Sequence, residues 1–333
     1  MKTTRRATLM TAAVLAAAMF APTEAGADDL KKVTVVSSTA GVHAPFWVGI
    51  ERGFFKEAGF DASWREVASS ADRVTVVSSG DAVMAGTGAQ AMVAIMGQGN
   101  RTFYWVGIPD SAKDISGVVA HGDITGLKDL KGKKLAIQFG GSEEIVDYYL
   151  LRNVGLDMYT DVQLVNLKQS EMIQAMKQGL IDAAGAWYPE YARLQEIEGV
   201  KKIASVADLG YWEKYHQIPA PNTLIISKKF VDQDLAGAKR FLGAYWKSQQ
   251  WVIDNRAEAA QIAAKISKQS VDEWLAWENM SVRLTRKDQL QQMSENGAYP
   301  IMDAMIDFMV NTIKKVDEKP NYKQWVRQDL LVE

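Results

Sequence analysis

From Lys32 onward the chain alternates short β-branched runs with segments whose apolar residues recur at helical spacing, and nothing else in it restricts the fold as strongly. Residues 32–38 (KVTVVSS) read as a strand. Residues 44–53 follow as a helix, with Phe46, Trp47 and Ile50 on one side and Gly53 as its stop. Residues 60–67 alternate as a half-buried strand, and 74–79 open a helix. Residues 82–85 form a short buried strand, 90–96 an apolar helix, and 101–108 a strand closed by Pro109-Asp110. The rhythm then repeats, with strands at 116–120, 134–139, 162–167, 183–187, 201–206 and 223–227 and helices at 126–130, 142–154 and 170–178. From Val231 the pattern is helical nearly to the end. Strands alternating with helices predict an α/β fold with largely parallel sheets. A length of 333 residues suggests two lobes. No Pro/Gly/Ser linker divides them, so one lobe is expected to be inserted into the other.

The first residues read as a targeting segment. Lys2, Arg5 and Arg6 precede an apolar run over 9–20, and Ala25-Gly26-Ala27 gives a small-x-small cleavage pattern before Asp28-Asp29. The run is too short for a stable membrane span, so residues 1–27 are expected to be a cleaved signal peptide and the mature chain periplasmic. No later stretch reaches the roughly 18 apolar residues of a membrane helix, so the chain is expected not to be membrane-inserted. There is no cysteine. Disulfides, thiolate metal sites, a cysteine nucleophile and a lipidated cysteine at the cleavage site are therefore excluded. The formal net charge is −2, and no Lys/Arg block stands out, so no nucleic-acid partner is expected.

Residues 43–61 (HAPFWVGIERGFFKEAGFD) resemble the segment after the first strand in the nitrate/sulfonate/taurine group of ABC-transporter periplasmic substrate-binding proteins. Residues 82–99 (AVMAGTGAQAMVAIMGQG) resemble that group's next ligand loop and helix. Residues 127–139 followed by Gly140-Gly141-Ser142, residues 177–184 with Trp187-x-Pro189, and 222–230 (NTLIISKKF) continue the match over essentially the whole mature chain. The resemblance implies a type II periplasmic-binding fold, with lobe 1 at 28–118 plus 226–333, lobe 2 at 119–225, and two crossing strands as the hinge. It also implies a small-molecule ligand of the sulfonate or taurine type, held between the lobes and delivered to an inner-membrane ABC permease with its ATPase. The same superfamily contains thiamine-pyrimidine synthases that rely on a Cys-rich motif; the absence of cysteine and the signal peptide weigh against an enzyme. An accessory sensor subunit is a third reading.

Open α/β sheets bind ligands beyond the carboxyl ends of their strands, and clefts between lobes are favoured sites. The expected ligand-binding residues are therefore Ser38, His43, Trp47, Ser70, Thr87 and Gly88 from lobe 1, and Gly141, Ser142, Glu143, Trp187 and Tyr188 from lobe 2. Gly140-Gly141-Ser142 offers a close backbone approach and free N–H groups at a helix start, which suit an anion. The plain alternative is that Ser142 caps its own helix. Glu143 and Glu144 complement the helix dipole by about 0.3–1 kcal/mol each, but they would repel a bare anion beside that turn. Either they point away or the ligand also carries positive charge, as taurine does. Trp47 and Trp187 follow strand ends and fit cleft and core equally. His43 fits an anion contact or a solvated loop.

Residues 86–91 (GTGAQA) nearly match a dinucleotide fingerprint. Export and the lack of an acidic ribose partner argue for a ligand loop with Thr87 as donor instead. The three histidines, His43, His121 and His216, lack metal spacing. Residues 140–144 lack the second glycine of a nucleophile elbow, and 126–134 lack the spacing and Ser/Thr of a P-loop. No catalytic residue, metal or cofactor is expected.

Overall fold

The computed structural model describes residues 30–332, so the expected signal peptide at 1–27 lies outside the described residues. The chain opens with β1 (Lys31–Ser37), α1 (Ala44–Glu51), α2 (Phe54–Glu57), β2 (Phe60–Glu66), α3 (Ser70–Ser79), β3 (Met84–Gly88), α4 (Ala89–Gly97) and β4 (Phe103–Gly107). Local chemistry sets several of these limits. Pro45 lies in the first turn of α1, where its missing N–H costs nothing, and Gly53 takes a left-handed φ of 76° after it. Helix α3 begins four residues before the apolar spacing that starts at Val74. The Ser69 hydroxyl accepts the Asp72 N–H at 3.3 Å, so a cap, not the buried stripe, fixes that end.

The second half of the alternation comprises β5 (Asp110–Ala112), β6 (Ser116–His121), β7 (Lys134–Ile137), α5 (Ser142–Asn153), β8 (Gln163–Asn166), α6 (Gln169–Lys177), β9 (Ala183–Trp187), α7 (Glu190–Gln195), β10 (Val200–Ser205) and α8 (Tyr211–Tyr215). The chain then returns through β11 (Asn222–Ser227) to α9 (Lys228–Gln233), α10 (Leu235–Asp254), α11 (Arg256–Ser267) and α12 (Val271–Met280). The last elements are β12 (Ser281–Arg283), α13 (Gln289–Gln292), α14 (Tyr299–Asp307) and α15 (Gln328–Leu331). Strand β12 interrupts what the sequence reads as continuous helix. It has three residues and pairs antiparallel with the equally short β5, too little to show a period of two.

Two five-stranded sheets result, in the orders β2-β1-β3-β11-β4 and β10-β6-β9-β7-β8. Strand β1 runs parallel to β2 and β3, and β7 parallel to β8 and β9. One inner strand of each sheet runs against its neighbours: β11 in the first and β6 in the second. These are the strands by which the chain arrives from the other sheet. Each enters at the carboxyl edge of its new sheet, so it must run backwards. Ser116 pairs with Trp187, the last residue of β9, and Asn222 pairs with Gly88, the last residue of β3. Both crossings therefore join carboxyl edge to carboxyl edge, and the two edges face each other. The exchange falls a few residues earlier than expected at each boundary. Residues 116–118 already pair in the second sheet and 222–225 already pair in the first, so the crossings are the segments between sheets and not the strands themselves.

Both faces of each sheet are covered. Val33, Val35, Leu224 and Ile226 pack toward α1, α10 and α11, while Val36, Ala85, Trp105 and Ile225 pack toward α3, α4 and α14. In the second sheet Leu135 and Ile137 meet α5, while Ala136 and Ala184 meet α6 and α7. Helix α10 supplies a buried stripe of Phe241, Leu242, Tyr245, Gln249 and Val252 at helical spacing. Phe241 stacks on Phe55 at 4.6 Å and meets the Phe60 ring edge-on at 5.2 Å. Phe241→Ala would leave a void with rigid aromatic walls. A loss of about 3–5 kcal/mol is expected, read as a lower urea midpoint in chemical denaturation, with a loss under about 1 kcal/mol contradicting this account of the core.

Candidate functional site

The first facing edge is built around two buried guanidinium groups. Arg73, on α3, donates at 2.7 Å to the carbonyls of Val67 and Ala68 and at 2.7 Å to the Ser70 hydroxyl. Burial lowers its pKa to about 10, against a partial opposing effect of Asp72. The Ser70 hydroxyl also accepts the Gly88 N–H at 3.4 Å, and the Thr87 hydroxyl donates to the Ser70 carbonyl at 3.0 Å. Ser70, Thr87 and Gly88 are thus brought together as expected. The Thr87 side chain is fully buried in holding the scaffold and is not the free ligand donor that the sequence suggests.

Arg283, on β12, forms a buried ion pair with Glu278 and donates to the Gly41 carbonyl at 2.9 Å and the Val42 carbonyl at 3.3 Å. Its fork holds the loop after β1, the segment that carries Ser38 and His43. Ser38 is half-buried there; its hydroxyl accepts the Ala40 N–H at 3.4 Å. His43 is buried, not solvated, and its Nδ1 has no hydrogen-bond partner. Its ring occupies the space beside Gly86 where any Cβ would overlap it. Burial first, then the charges of Arg73 and Arg283, hold its pKa well below 6.5, so the ring is neutral and offers no positive charge to an anion. Trp47 is 1% exposed and packs edge-on against Trp64 at 5.8 Å. It belongs to the core, which corrects its place among the ligand residues.

Asp110, on β5, stands where the chain leaves the first sheet, and Asn222 donates to it at 3.0 Å from where the chain returns. Burial pushes the Asp110 carboxyl up to about 6, against the hydrogen bond from Asn222 and the charge of Arg283. A raised pKa contributes stability that is present below the unfolded value of 3.8 and lost as pH rises through about 6. Asp110→Asn should therefore gain on wild type between pH 4 and pH 8, approaching about 3 kcal/mol. Urea midpoints of both proteins across that range measure this, and a constant difference would refute it.

The second facing edge starts at the turn after β7. Gly140 has a left-handed φ of 75°, and its N–H donates to Glu144 at 2.7 Å. Tyr159 donates to the other Glu144 oxygen at 3.2 Å, so Glu144 braces the turn. Gly141 is the N-cap of α5, and Ser142 makes no capping bond, which removes the capping alternative for that hydroxyl. Gln169 accepts the Trp187 N–H at 3.2 Å, and the half-buried Trp187 ring lies against Gly141. The Tyr188 hydroxyl reaches across to the Glu273 carbonyl of α12 at 2.6 Å, and Arg193 pairs with the Glu273 carboxylate at 2.6 Å. Tyr188 thus bridges the two halves.

Glu143 turns inward. It is 1% exposed, and beyond a weak hydrogen bond from the Ser116 hydroxyl neither of its oxygens has a partner. One helical turn on, Asp147 is fully buried and unpartnered. Burial, and for Glu143 also the neighbouring Asp147 charge, hold both carboxyls well above their usual range, with the Ser116 hydroxyl a weak counterweight at Glu143. Gly185, on β9, makes room for Asp147, because a Cβ there would overlap its carboxylate. Gly185→Ala should destabilise by about 1–3 kcal/mol, and Asp147→Ala in the same chain should recover part of that loss; denaturant midpoints that show no recovery would contradict this packing.

Arg73, Arg283, Glu278, Asp110 and Asp147 were not among the residues expected from sequence. Asp147 left a readable signal, since it lies four residues after Glu143 and three before Leu150 on the buried stripe of α5. A shallow groove bordered by Lys32, Asp61 and Asp81 lies at the opposite, amino-terminal ends of β1 and β2, away from all of these groups.

Residues 40–259 match the model of the NMT1/THI5-like family. The chain belongs to the NMT1/THI5-like family. That match runs from the loop after β1, through both facing edges, into α11. A putative aliphatic sulfonates-binding protein of Bacillus subtilis is 24% identical over 85% of this chain and 82% of its own length. Among solved structures, the periplasmic aliphatic sulphonate binding protein of Escherichia coli superposes with a TM-score of 0.74 at 18% identity, over 90% of this chain and 99% of that one. The desulfurization enzyme DSZB, crystallised as a cysteine-to-serine variant with biphenyl-2-sulfinic acid, shares the fold at a TM-score of 0.65 and 16% identity, over 91% of this chain and 98% of that one. This NMT1/THI5-like chain therefore has the two-unit α/β fold of periplasmic binding proteins. No helix among the described residues is long and apolar enough to cross a membrane.

Proposed function

We propose that this protein is an exported solute-binding receptor that holds a small organic ion between two lobes and hands it to an inner-membrane ABC permease driven by its ATPase. The observation that carries the reading is the opposition of the two carboxyl edges. Both crossings join those edges, and polar or glycine-rich turns stand on each side: Ser70 and Gly88 on one, Gly141 and Ser142 on the other. Ligands of α/β sheets bind at such edges, and a cleft reached from two units lets a ligand favour their closed arrangement. Tyr188 and Arg193 already touch α12 across the gap, which gives closure defined contacts. The turn at Gly140–Ser142, opening the 12-residue helix α5, suits a sulfonate or carboxylate group. The relative named for aliphatic sulfonates supports the sulfonate class, and taurine-like compounds belong to the same proposal.

On this reading lobe 1 takes in 28–118 with 226–333, and lobe 2 takes in 119–225, apart from the short strand ends that cross over. Residues 1–27 serve export to the periplasm. The fold is shared with DSZB, so an enzyme is the competing reading; against it, this chain has no cysteine, the residue type changed in that enzyme's crystallised variant.

Thermal melts of the mature protein against taurine, hypotaurine, alkanesulfonates, nitrate, pyrimidines and aromatic carboxylates test the proposal. A true ligand at about 100-fold its dissociation constant should stabilise by roughly 2.7 kcal/mol and be recovered unchanged. Chemical conversion of the hit, or no stabilisation by any compound, would overturn it.

A further inference from the structure

The receptor reading leaves the buried acids of the second unit without a role, and the following inference rests on that reading. We propose that Glu143 and Asp147, together with the Tyr191 hydroxyl, form an acceptor site for the positively charged nitrogen of the ligand, so that the solute is an organic ammonium compound and not a simple anion.

Three observations carry this. Buried carboxylates are normally paired or hydrogen-bonded, and a buried group without a partner calls for an explanation. Here both Asp147 oxygens have no partner, and Glu143, on the same face of α5, has only a weak one in the Ser116 hydroxyl. Second, Tyr191, reaching in from α7, is 5% exposed, and its hydroxyl is also unpartnered. Burial raises its pKa most, followed by the nearby charges of Asp114, Glu143, Asp208 and Asp147, so the hydroxyl stands among these acids. Third, the cluster sits at the facing edge. Ser116, the polar neighbour of Glu143, pairs with Trp187, whose half-buried ring lies on Gly141. A tryptophan face beside carboxylates is a favourable seat for a cationic nitrogen.

Asp114 gives one oxygen to Lys202 at 2.9 Å and keeps its other oxygen buried and unpartnered. Asp208 accepts the Ser205 N–H at 2.8 Å. Among the described residues no ion pair engages Glu143 or Asp147, and Lys202 pairs with Asp114 instead. Burial holds both carboxyls well above their usual range, and an ammonium group beside them would favour their ionised form. Binding of such a group is therefore linked to proton release, and affinity for it should rise from pH 5 to pH 8.

Ethylammonium, 2-aminoethanesulfonate and ethanesulfonate are the probes, titrated into the mature protein by calorimetry at those two pH values and in two buffers of different ionisation enthalpy. The expected result is at least roughly tenfold tighter binding of 2-aminoethanesulfonate than of ethanesulfonate, measurable binding of ethylammonium, and proton release with both amines. In Glu143→Gln/Asp147→Asn the preference for the amine should disappear. Tyr191→Phe should weaken only the aminated probes. Equal binding of the two sulfonates by wild type would overturn the proposal and leave the receptor reading standing. Binding of none of the probes would overturn it too, and the broader ligand panel would then decide the receptor reading separately. Retention of the amine preference in the double variant would also overturn it, and the wild-type comparison stands even where that variant fails to fold.

Discussion

The chain passes between its two sheets twice, and both passages run from carboxyl edge to carboxyl edge. That constraint dictates the one reversed strand in each sheet, because β6 and β11 each enter at the end where their neighbours finish. It also dictates where ligand chemistry can be placed. The turns that follow parallel strands collect at those edges, and the crossings bring the edges opposite one another. Backbone N–H groups left free at the starts of helices are therefore available on both sides of one gap, without any element being bent to reach it.

The two sides handle buried charge in opposite ways. In the first unit, buried cations are tied down by hydrogen bonds. Arg73 ties the turn before α3 to itself through two carbonyls and Ser70, and Arg283 ties the loop after β1 to β12 and α12. Removing one partner of such a pair would leave the other charge stranded, which is typically far more costly than losing a surface ion pair. In the second unit the buried charges are acidic: Glu144 is hydrogen-bonded into its turn, while Asp147 has no partner.

Much of the fold was legible because both faces of each sheet are buried. Segments such as 183–187 (AAGAW) and 223–227 (TLIIS) have no polar face to blur them, and they lie within a residue of β9 and β11. The site was legible only in outline. Ser70, Thr87 and Gly88 do meet, since each follows a strand or starts a helix at one edge. Whether a side chain there faces the gap depends on packing that spacing does not reveal. Trp47 and Trp187 look alike in sequence, yet one is sealed against Trp64 and the other lies over Gly141. Arg283 gave no signal at all. It sits on a strand of three residues and acts on a loop that lies 242 positions earlier in the chain.

Asp110 and Asn222 join the outgoing passage to the returning one by a single hydrogen bond of 3.0 Å. Two independent tethers would let the halves twist as well as swing. Tied to each other at their roots, the tethers would act as one axle in the closure that the proposed receptor role requires, reducing it toward a single rotation that parts or joins the two edges while keeping them in register.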